Sequence, residues 1–182
     1  MRKEKIVTAG APTRMDDHVH PFAQGWKVGD FVFTGGIAAE DPETGKMEVL
    51  RYVVVEDVGR CINPLTMHGQ SVGGAAQGIG GAMLEELVYD AGGQLLSGSL
   101  MDYLLPTSQD IPDIETVITE DAPSPLNPLG VKGAGAGAIL ATGAALGNAV
   151  ANALSPFGVQ VNTMPLSPDN IRRWIVEAAA SQ

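Results

Sequence analysis

The sequence predicts an α+β fold, with a mixed sheet packed against helices rich in small residues and a β-hairpin near the N-terminus. Three observations carry this prediction. Met47 to Asp57 form a long β-branched run, the strongest strand pattern in the chain. Residues 66–89 have a helical pattern whose first half is crowded with glycine and alanine. Residues 22–34 contain two short apolar runs separated by a turn sequence, which is typical of a hairpin.

The N-terminal elements are predicted to be short. Residues 1–20 are polar and predict irregular structure. Phe22–Trp26 and Asp30–Thr34 are the predicted strands of the hairpin, and Lys27–Asp30 predicts the turn between them. A second turn, Asp41–Lys46, has proline early and glycine late, and therefore separates the hairpin from the strong strand.

The helix predicted over residues 66–89 depends on contacts with the rest of the fold, because glycine costs about 1 kcal/mol per helical position relative to alanine. Its small residues leave a bare face that another backbone or a ligand can approach closely. Met83–Tyr89 predicts an ordinary amphipathic end. Beyond it, the sequence predicts a strand at Ile114–Thr119, a helix over about Ala141–Leu154 and a last helix capped by Ser167.

Composition excludes several classes of protein. The net charge of -10 argues against binding to nucleic acid or to an anionic membrane, since both use basic patches. The single cysteine, Cys61, excludes an internal disulfide and predicts a reducing, cytoplasmic location. Residues 1–5 are charged without an apolar core behind them, so we expect no signal peptide. The uncharged stretch 133–154 contains glycine, alanine, threonine and asparagine, which predict a buried loop and helix instead of a membrane span.

Four local patterns have alternative interpretations. Gly133–Gly137 is similar to a dinucleotide-binding fingerprint, but that motif needs a strand just before it and an acid about 20 residues after it. Asp16–His20 carries two histidines and two carboxylates, which suit either a zinc site or a solvated loop. The paired acids Glu85–Glu86 and Glu120–Asp121 suit acid–base chemistry if burial separates their pKa values, but they are expected on solvated faces. Cys61 is expected as a small buried residue instead of a nucleophile.

A series of motifs in a fixed order extends from about residue 48 to residue 175. They are V-L-R-Y at 49–52, D-V-G-R-C-I-N-P at 57–64, A-Q-G-I-G at 76–80, G-S-L-M-D-Y at 98–103, N-P-L-G-V-K-G at 127–133 and M-P-L at 164–166. Together they resemble the C-terminal part of the large subunit of molybdenum hydroxylases of the carbon monoxide dehydrogenase, aldehyde oxidase and xanthine dehydrogenase type.

This resemblance implies a role in binding molybdopterin cytosine dinucleotide. The family glutamine beside the molybdenum ligands corresponds to Gln77, and the glycines around it would let backbone N–H groups approach the cofactor. The implied cofactor-binding residues are Gln77, Gly78, Gly80, Gly133 and Gly135. In the family the cofactor lies between this part and an earlier, larger portion of the subunit.

The resemblance also implies a missing group. The family has a glutamate that acts as general base in the pattern G-V-K-G-x-G-E-A-G, and that position is Ala136 here. A methyl group cannot accept a proton. The neighbouring positions differ as well, with Gly143 and Ala144 where the family usually has two prolines. We therefore expect no catalytic residue at this position.

Residues 1–46 resemble a different family, the reactive-intermediate (imine) deaminases. The matching motifs are P-F-A-Q-G at 21–25, K-V-G-D-F-V-F at 27–33 and D-P-E-T-G-K at 41–46. D-P-E-T-G-K followed by V-L-R-Y also occurs in the molybdenum family, so it is a plausible joining point of a fusion. The resemblances thus predict two segments, 1–46 and 47–182. Deaminase activity is not expected, because the later half of that family supplies its substrate-binding arginine.

Three functions follow from these patterns. The first is a fragment or remodelled form of a molybdopterin-dependent oxidoreductase large subunit, inactive alone and completed by other subunits. The second is a non-catalytic binding or assembly module that self-associates. The third is a trimeric imine-deaminase-like protein.

Overall fold

The structure, a computed structural model, describes residues 43–181 and, before them, the backbone of the strands at 4–6, 25–28, 31–34 and 37–41. Its strands are β1 (Glu4–Ile6), β2 (Gly25–Val28), β3 (Phe31–Thr34), β4 (Ile37–Asp41), β5 (Lys46–Asp57) and β6 (Ile114–Thr119). Its helices are α1 (Pro64–Met83), α2 (Gly137–Ala153) and α3 (Pro168–Ala180), with a short 3-10 helix at Ser155–Phe157. This mixture agrees with the predicted α+β class.

The sheet that supports the site has the strand order β4-β5-β6. β5 is antiparallel to β4 and parallel to β6, with Tyr52 opposite Ile114 and Asp57 opposite Thr119. A parallel pair needs a long crossover connection, and α1 lies within it. The predicted mixed sheet is therefore confirmed, and the β-branched run forms its central strand.

The first three strands form a separate antiparallel sheet in the order β1-β2-β3. Lys27 and Val28 were predicted in a turn, but they belong to β2, because Val28 pairs with Phe31 and extends the ladder. β1 lies in the stretch predicted to be irregular, where backbone pairing with β2 stabilises it despite the polar sequence. The histidine-containing pattern at 16–20 lies outside the described residues.

Helix α1 begins and ends differently from the prediction. Asn63 caps its start by accepting a hydrogen bond from the Thr66 N–H at 3.1 Å, and Pro64 occupies the first turn. The helix ends at Met83 because the N–H groups of Leu84 and Glu85 both donate to the Gly80 carbonyl. The amphipathic end predicted over Met83–Tyr89 is therefore wrong, and residues 84–113 are largely irregular.

Helices α2 and α3 lie close to their predicted positions. α2 begins at Gly137 instead of Ala141, because Gly74 of α1 lets the backbone at Ala138 and Ile139 pack closely against it. α3 begins after Ser167, whose side chain accepts from the Asn170 N–H as predicted. Among the described residues, no helix is long and apolar enough to cross a membrane. The uncharged stretch 133–154 forms a loop followed by α2.

One core joins β5, α1, α2 and the C-terminal segment. Its most deeply buried members are Ala75, Ile79, Leu146, Val150, Leu154, Leu166 and Ile171. The two helices approach closely at Gly78, where an added Cβ would lie 2.5 Å from the Cβ of Thr142. The Tyr52 hydroxyl donates to the Thr142 hydroxyl at 2.9 Å, which ties β5 to α2. This contact fixes where the start of α2 lies relative to the sheet.

Candidate cofactor-binding site

The glycine-rich loop that precedes α2 is fastened to the end of β5. The carboxylate of Asp57 accepts hydrogen bonds from the N–H groups of Gly59 and Ala122, each at 2.9 Å, and from the Lys132 ammonium at 3.0 Å. The Lys132 N–H donates to the Val58 carbonyl at 3.0 Å. The Gly59 N–H, followed by Lys132, lowers the pKa of Asp57 below its usual value. Asp57 is therefore a charged anchor for the loop.

A second set of contacts shapes the loop just upstream. The Asn127 side chain donates to the Val131 carbonyl at 2.9 Å and accepts from the Val131 N–H at 3.1 Å. Gly130 has a φ of 72°, a conformation that favours glycine. These contacts therefore fix the direction in which the chain continues after Lys132.

Residues 133–136 form the outer part of this loop, in which Gly133, Gly135 and Ala136 are exposed and Ala134 is half-buried. An added Cβ at Gly133 would meet no heavy atom within 4 Å, so its backbone is open to a ligand. Gly135 lies beside the Gln70 side chain, whose amide nitrogen would be 3.8 Å from an added Cβ. Ala136 is exposed at the N-cap position of α2 and makes no side-chain capping hydrogen bond. The first N–H groups of α2 thus lack the usual side-chain acceptor.

Gln70, which belongs to the stretches that resemble the molybdenum hydroxylases but is not among the predicted cofactor-binding residues, is the glutamine that lies beside the glycine-rich loop. Gln77 follows it by two helical turns, about 10 Å along α1, and lies on roughly the same face. Gln77 is exposed. Its assignment as a cofactor contact stays a prediction. The spacing of the two glutamines was the signal in the sequence that could have revealed Gln70.

Gly78 and Gly80, the two predicted glycines of α1, pack against other parts of the chain. Gly78 is buried against Thr142, and an added Cβ at Gly80 would lie 2.8 Å from the Pro106 ring. Both therefore allow close approach by other parts of this chain. Gly133 and Gly135, in contrast, lie in the exposed loop. The structure places Gly135 beside Gln70, while the role of all five predicted residues in cofactor binding stays a prediction.

The half-buried carboxyl group of Glu56 lies directly behind the start of α2. One oxygen of Glu56 accepts a hydrogen bond from the Ser71 hydroxyl at 2.7 Å. Its other oxygen, Oε1, is buried and, within the described part of the chain, has no hydrogen-bond partner. This oxygen occupies the space where a side chain at Gly137 would lie. A carboxyl group is therefore placed beside the N-terminal end of α2.

The other candidate residues lie elsewhere. Across residues 43–181 and the four upstream strands, the structure contains no cluster of three or more potential metal ligands. Cys61 is half-buried, and its N–H donates to Glu120 at 2.9 Å. Glu85 accepts from the Tyr103 hydroxyl at 2.5 Å, and this bond is the main cause of the raised pKa of Tyr103. A dinucleotide-binding fingerprint requires a strand directly before the glycine-rich loop, and none lies there.

Comparisons with known proteins identify the family. A family model of the molybdopterin cofactor-binding domain matches residues 33–112. The 6-hydroxypseudooxynicotine dehydrogenase complex subunit gamma of Paenarthrobacter nicotinovorans is 47% identical over 131 residues, which are 72% of this chain and 16% of that subunit. Quinoline 2-oxidoreductase from Pseudomonas putida 86 has a solved structure that matches with a TM-score of 0.74 and 44% identity, covering 77% of this chain and 18% of that one. The chain is homologous to the molybdopterin-binding large subunits of molybdenum hydroxylases.

Another large subunit extends the match further along the chain. The nicotine 6-hydroxylase large subunit of Paenarthrobacter nicotinovorans is 38% identical over 156 residues, 84% of this chain and 19% of that subunit. The chain thus spans less than a fifth of the length of either curated relative. The resemblance of the C-terminal part to molybdenum hydroxylases is confirmed. The resemblance of residues 1–46 to imine deaminases and the boundary at 46/47 stay predictions.

Proposed function

We propose that this chain forms the C-terminal part of a molybdenum cofactor site in a molybdopterin-dependent oxidoreductase of the hydroxylase type. The observation that carries the proposal is the exposed glycine-rich loop at the uncapped start of α2, held by Asp57 and Lys132 beside Gln70. We further propose that the form of the cofactor is molybdopterin cytosine dinucleotide.

The residues present fit such a cofactor. Its pyrophosphate oxygens need hydrogen-bond donors, and the open backbone at Gly133 and Gly135 can offer N–H groups without side chains in the way. The amides of Gln70 and Gln77 can both donate and accept, as the pterin ring requires. When bound, the molybdenum centre supplies the redox chemistry. The chain itself binds and orients the cofactor.

The proposal includes the absence of activity from the chain alone. Ala136 carries no group that can accept a proton, and it occupies the position of the general base implied by the resemblance. Glu56 cannot take over in this arrangement, because its free oxygen is buried behind Gly137. We therefore propose that other polypeptides of the assembly complete the site.

Reconstitution with the cofactor tests the proposal. The purified chain, with and without the remaining portion of a related large subunit, is incubated with molybdopterin cytosine dinucleotide. Bound molybdenum and cytidine monophosphate released by hydrolysis are then measured. We expect both only when the second polypeptide is present. Stoichiometric molybdenum and aldehyde oxidation by the isolated chain would contradict the proposal.

Variants of the loop and of its neighbour Gln70, compared with a control variant, test whether this part of the chain binds the cofactor. Gly133→Leu and Gln70→Ala should each lower bound molybdenum at least tenfold, because they obstruct or remove contacts to the cofactor. Val176→Ala is the control, since Val176 is half-exposed on α3, away from the helix face that carries Gln70 and Gln77. Equal loss in all three variants would indicate a general defect in folding.

The alternatives from the sequence are not favoured by the homology. A trimeric imine-deaminase-like protein would accelerate the release of pyruvate from 2-aminoacrylate, which we do not expect. A purely structural assembly module would bind partners yet no cofactor, so the molybdenum measurement separates it from the proposed function.

A further inference from the structure

An irregular segment after α1 exposes an unusual amount of apolar surface. We call this segment, residues 84–105, the apolar segment. Its exposed apolar side chains are Leu87, Val88, Tyr89, Leu96, Leu100, Met101, Leu104 and Leu105. Leu100 is 79% exposed and Met101 89%. Exposed apolar side chains concentrated in this way mark interaction sites more often than free surface.

The apolar segment has a defined shape, although it contains little regular structure. Tyr89 and Leu95 form an isolated β-bridge, and the Leu96 N–H donates to the Val88 carbonyl at 2.8 Å. The Ser97 hydroxyl donates to the Glu86 carbonyl and accepts from the Val88 N–H. These hydrogen bonds, with those that the N–H groups of Asp102 and Tyr103 donate to the Ser99 carbonyl, order the segment before any partner binds, which lowers the entropy cost of binding.

Along the chain, the charged residues of the apolar segment and its flanks are all acidic. Residues 61–131 contain no lysine or arginine. Acidic residues within and near the segment include Glu86, Asp90, Asp102 and Asp110, all of them exposed. Two copies of this surface would bring like charges together, which opposes self-association. A partner with basic residues around an apolar centre would complement it.

We propose that the apolar segment is the docking surface for a partner polypeptide whose contact face is apolar and rimmed by lysine and arginine. This inference rests on the proposed function, in which other polypeptides complete the cofactor site, and it names the surface and the charge of the partner. Apolar burial at Leu100 and Met101 supplies affinity, and the acidic rim supplies orientation and a rapid approach.

Co-purification tests the inference without any cofactor. The probe is the Paenarthrobacter nicotinovorans subunit gamma lacking the 131 residues that match this chain, co-expressed with the full chain. Met101→Glu and Leu100→Glu should each weaken binding at least tenfold. Leu126→Glu is the matched control, because Leu126 is 92% exposed outside the apolar segment and undergoes the same change. Its effect should be less than twofold.

Three results would overturn the inference. The first is that Met101→Glu and Leu100→Glu weaken binding no more than Leu126→Glu does. The second is that the chain does not bind the probe at all. The third is a homodimer, seen by light scattering, that the Met101→Glu and Leu100→Glu variants dissociate, since the occupant would then be a second copy. The measured quantity is association with the probe. A failure to bind molybdenum would therefore contradict the proposed function, while the effect of the variants on association could still be interpreted.

Discussion

At the scale of single residues, the contact between Gly78 and Thr142 determines how closely α1 and α2 approach. Gly78→Ala would place a Cβ 2.5 Å from the Thr142 Cβ, and a buried helix contact cannot relax without moving one helix. We expect the free energy of unfolding to fall by about 1–3 kcal/mol in urea denaturation.

Gly73→Ala is the matched control for this prediction. Gly73 lies on the same helix with nothing within 4 Å of an added Cβ. Alanine there should stabilise the protein by up to about 1 kcal/mol through its higher helix propensity. If both variants changed stability by the same amount and sign, the helix contact would not be the cause.

The buried hydroxyl of Tyr52 makes stability sensitive to alkaline pH. Burial, the main effect, raises the pKa of Tyr52 above its usual value near 10, and the Thr142 hydroxyl partly opposes this. A group whose pKa is raised on folding contributes stability below its unfolded pKa and loses it as pH rises toward the folded value. Unfolding free energy should therefore fall above about pH 10.

Tyr52→Phe separates this residue from the other titrating groups. Denaturation at about pH 9 and about pH 11 should show a smaller alkaline loss in Tyr52→Phe than in the parent chain. At neutral pH the variant should be less stable by about 1 kcal/mol, because a buried hydrogen bond is lost. An unchanged alkaline loss would assign the effect to other groups.

At the scale of elements, Asp57 connects the end of β5 with the glycine-rich loop. Its pKa is lowered chiefly by the Gly59 N–H and by Lys132, so its contribution to stability is present above about pH 4 and is lost as pH falls toward the folded value. Asp57→Asn should reduce this loss of unfolding free energy at acid pH. It should also speed hydrogen exchange of the amides at 130–136 at neutral pH, because the anchor to Lys132 is removed.

Asp110→Asn is the control for the loop. The pKa of Asp110 is lowered as well, by the Thr107 N–H and hydroxyl, but these contacts lie in a different loop. This variant should reduce part of the loss of unfolding free energy at acid pH, and it should leave hydrogen exchange at 130–136 unchanged. Equal acceleration of exchange in both variants would show that Asp57 does not specifically hold the loop.

The sequence predicted the elements whose stability is local. β5 was predicted to within a residue, because its β-branched run leaves little alternative to a strand. α3 was predicted from its serine cap and first-turn proline. The end of α1 could not be predicted, since it depends on Tyr103 and Pro106 contacting Glu85 and Gly80 from a distant part of the chain.

At the scale of the whole molecule, the resemblance predicted the glycine-rich loop as a cofactor contact and Ala136 as the position of a missing acid, and both stay predictions. It did not reveal that Gln70 lies beside Gly135, or that Glu56 fills the space behind Gly137. Both contacts depend on how α1, β5 and the start of α2 meet in space. The spacing of residues within a single helix or strand does not encode these contacts between elements.

The parallel pairing of β5 with β6 has a consequence for synthesis on the ribosome. β5 can pair at once with the preceding β4, but its other edge must wait for β6, whose Glu115 meets a residue 64 positions earlier in the sequence. During that interval a β-branched edge is open to pairing with other chains. Slower elongation or a higher level of expression should therefore favour aggregation.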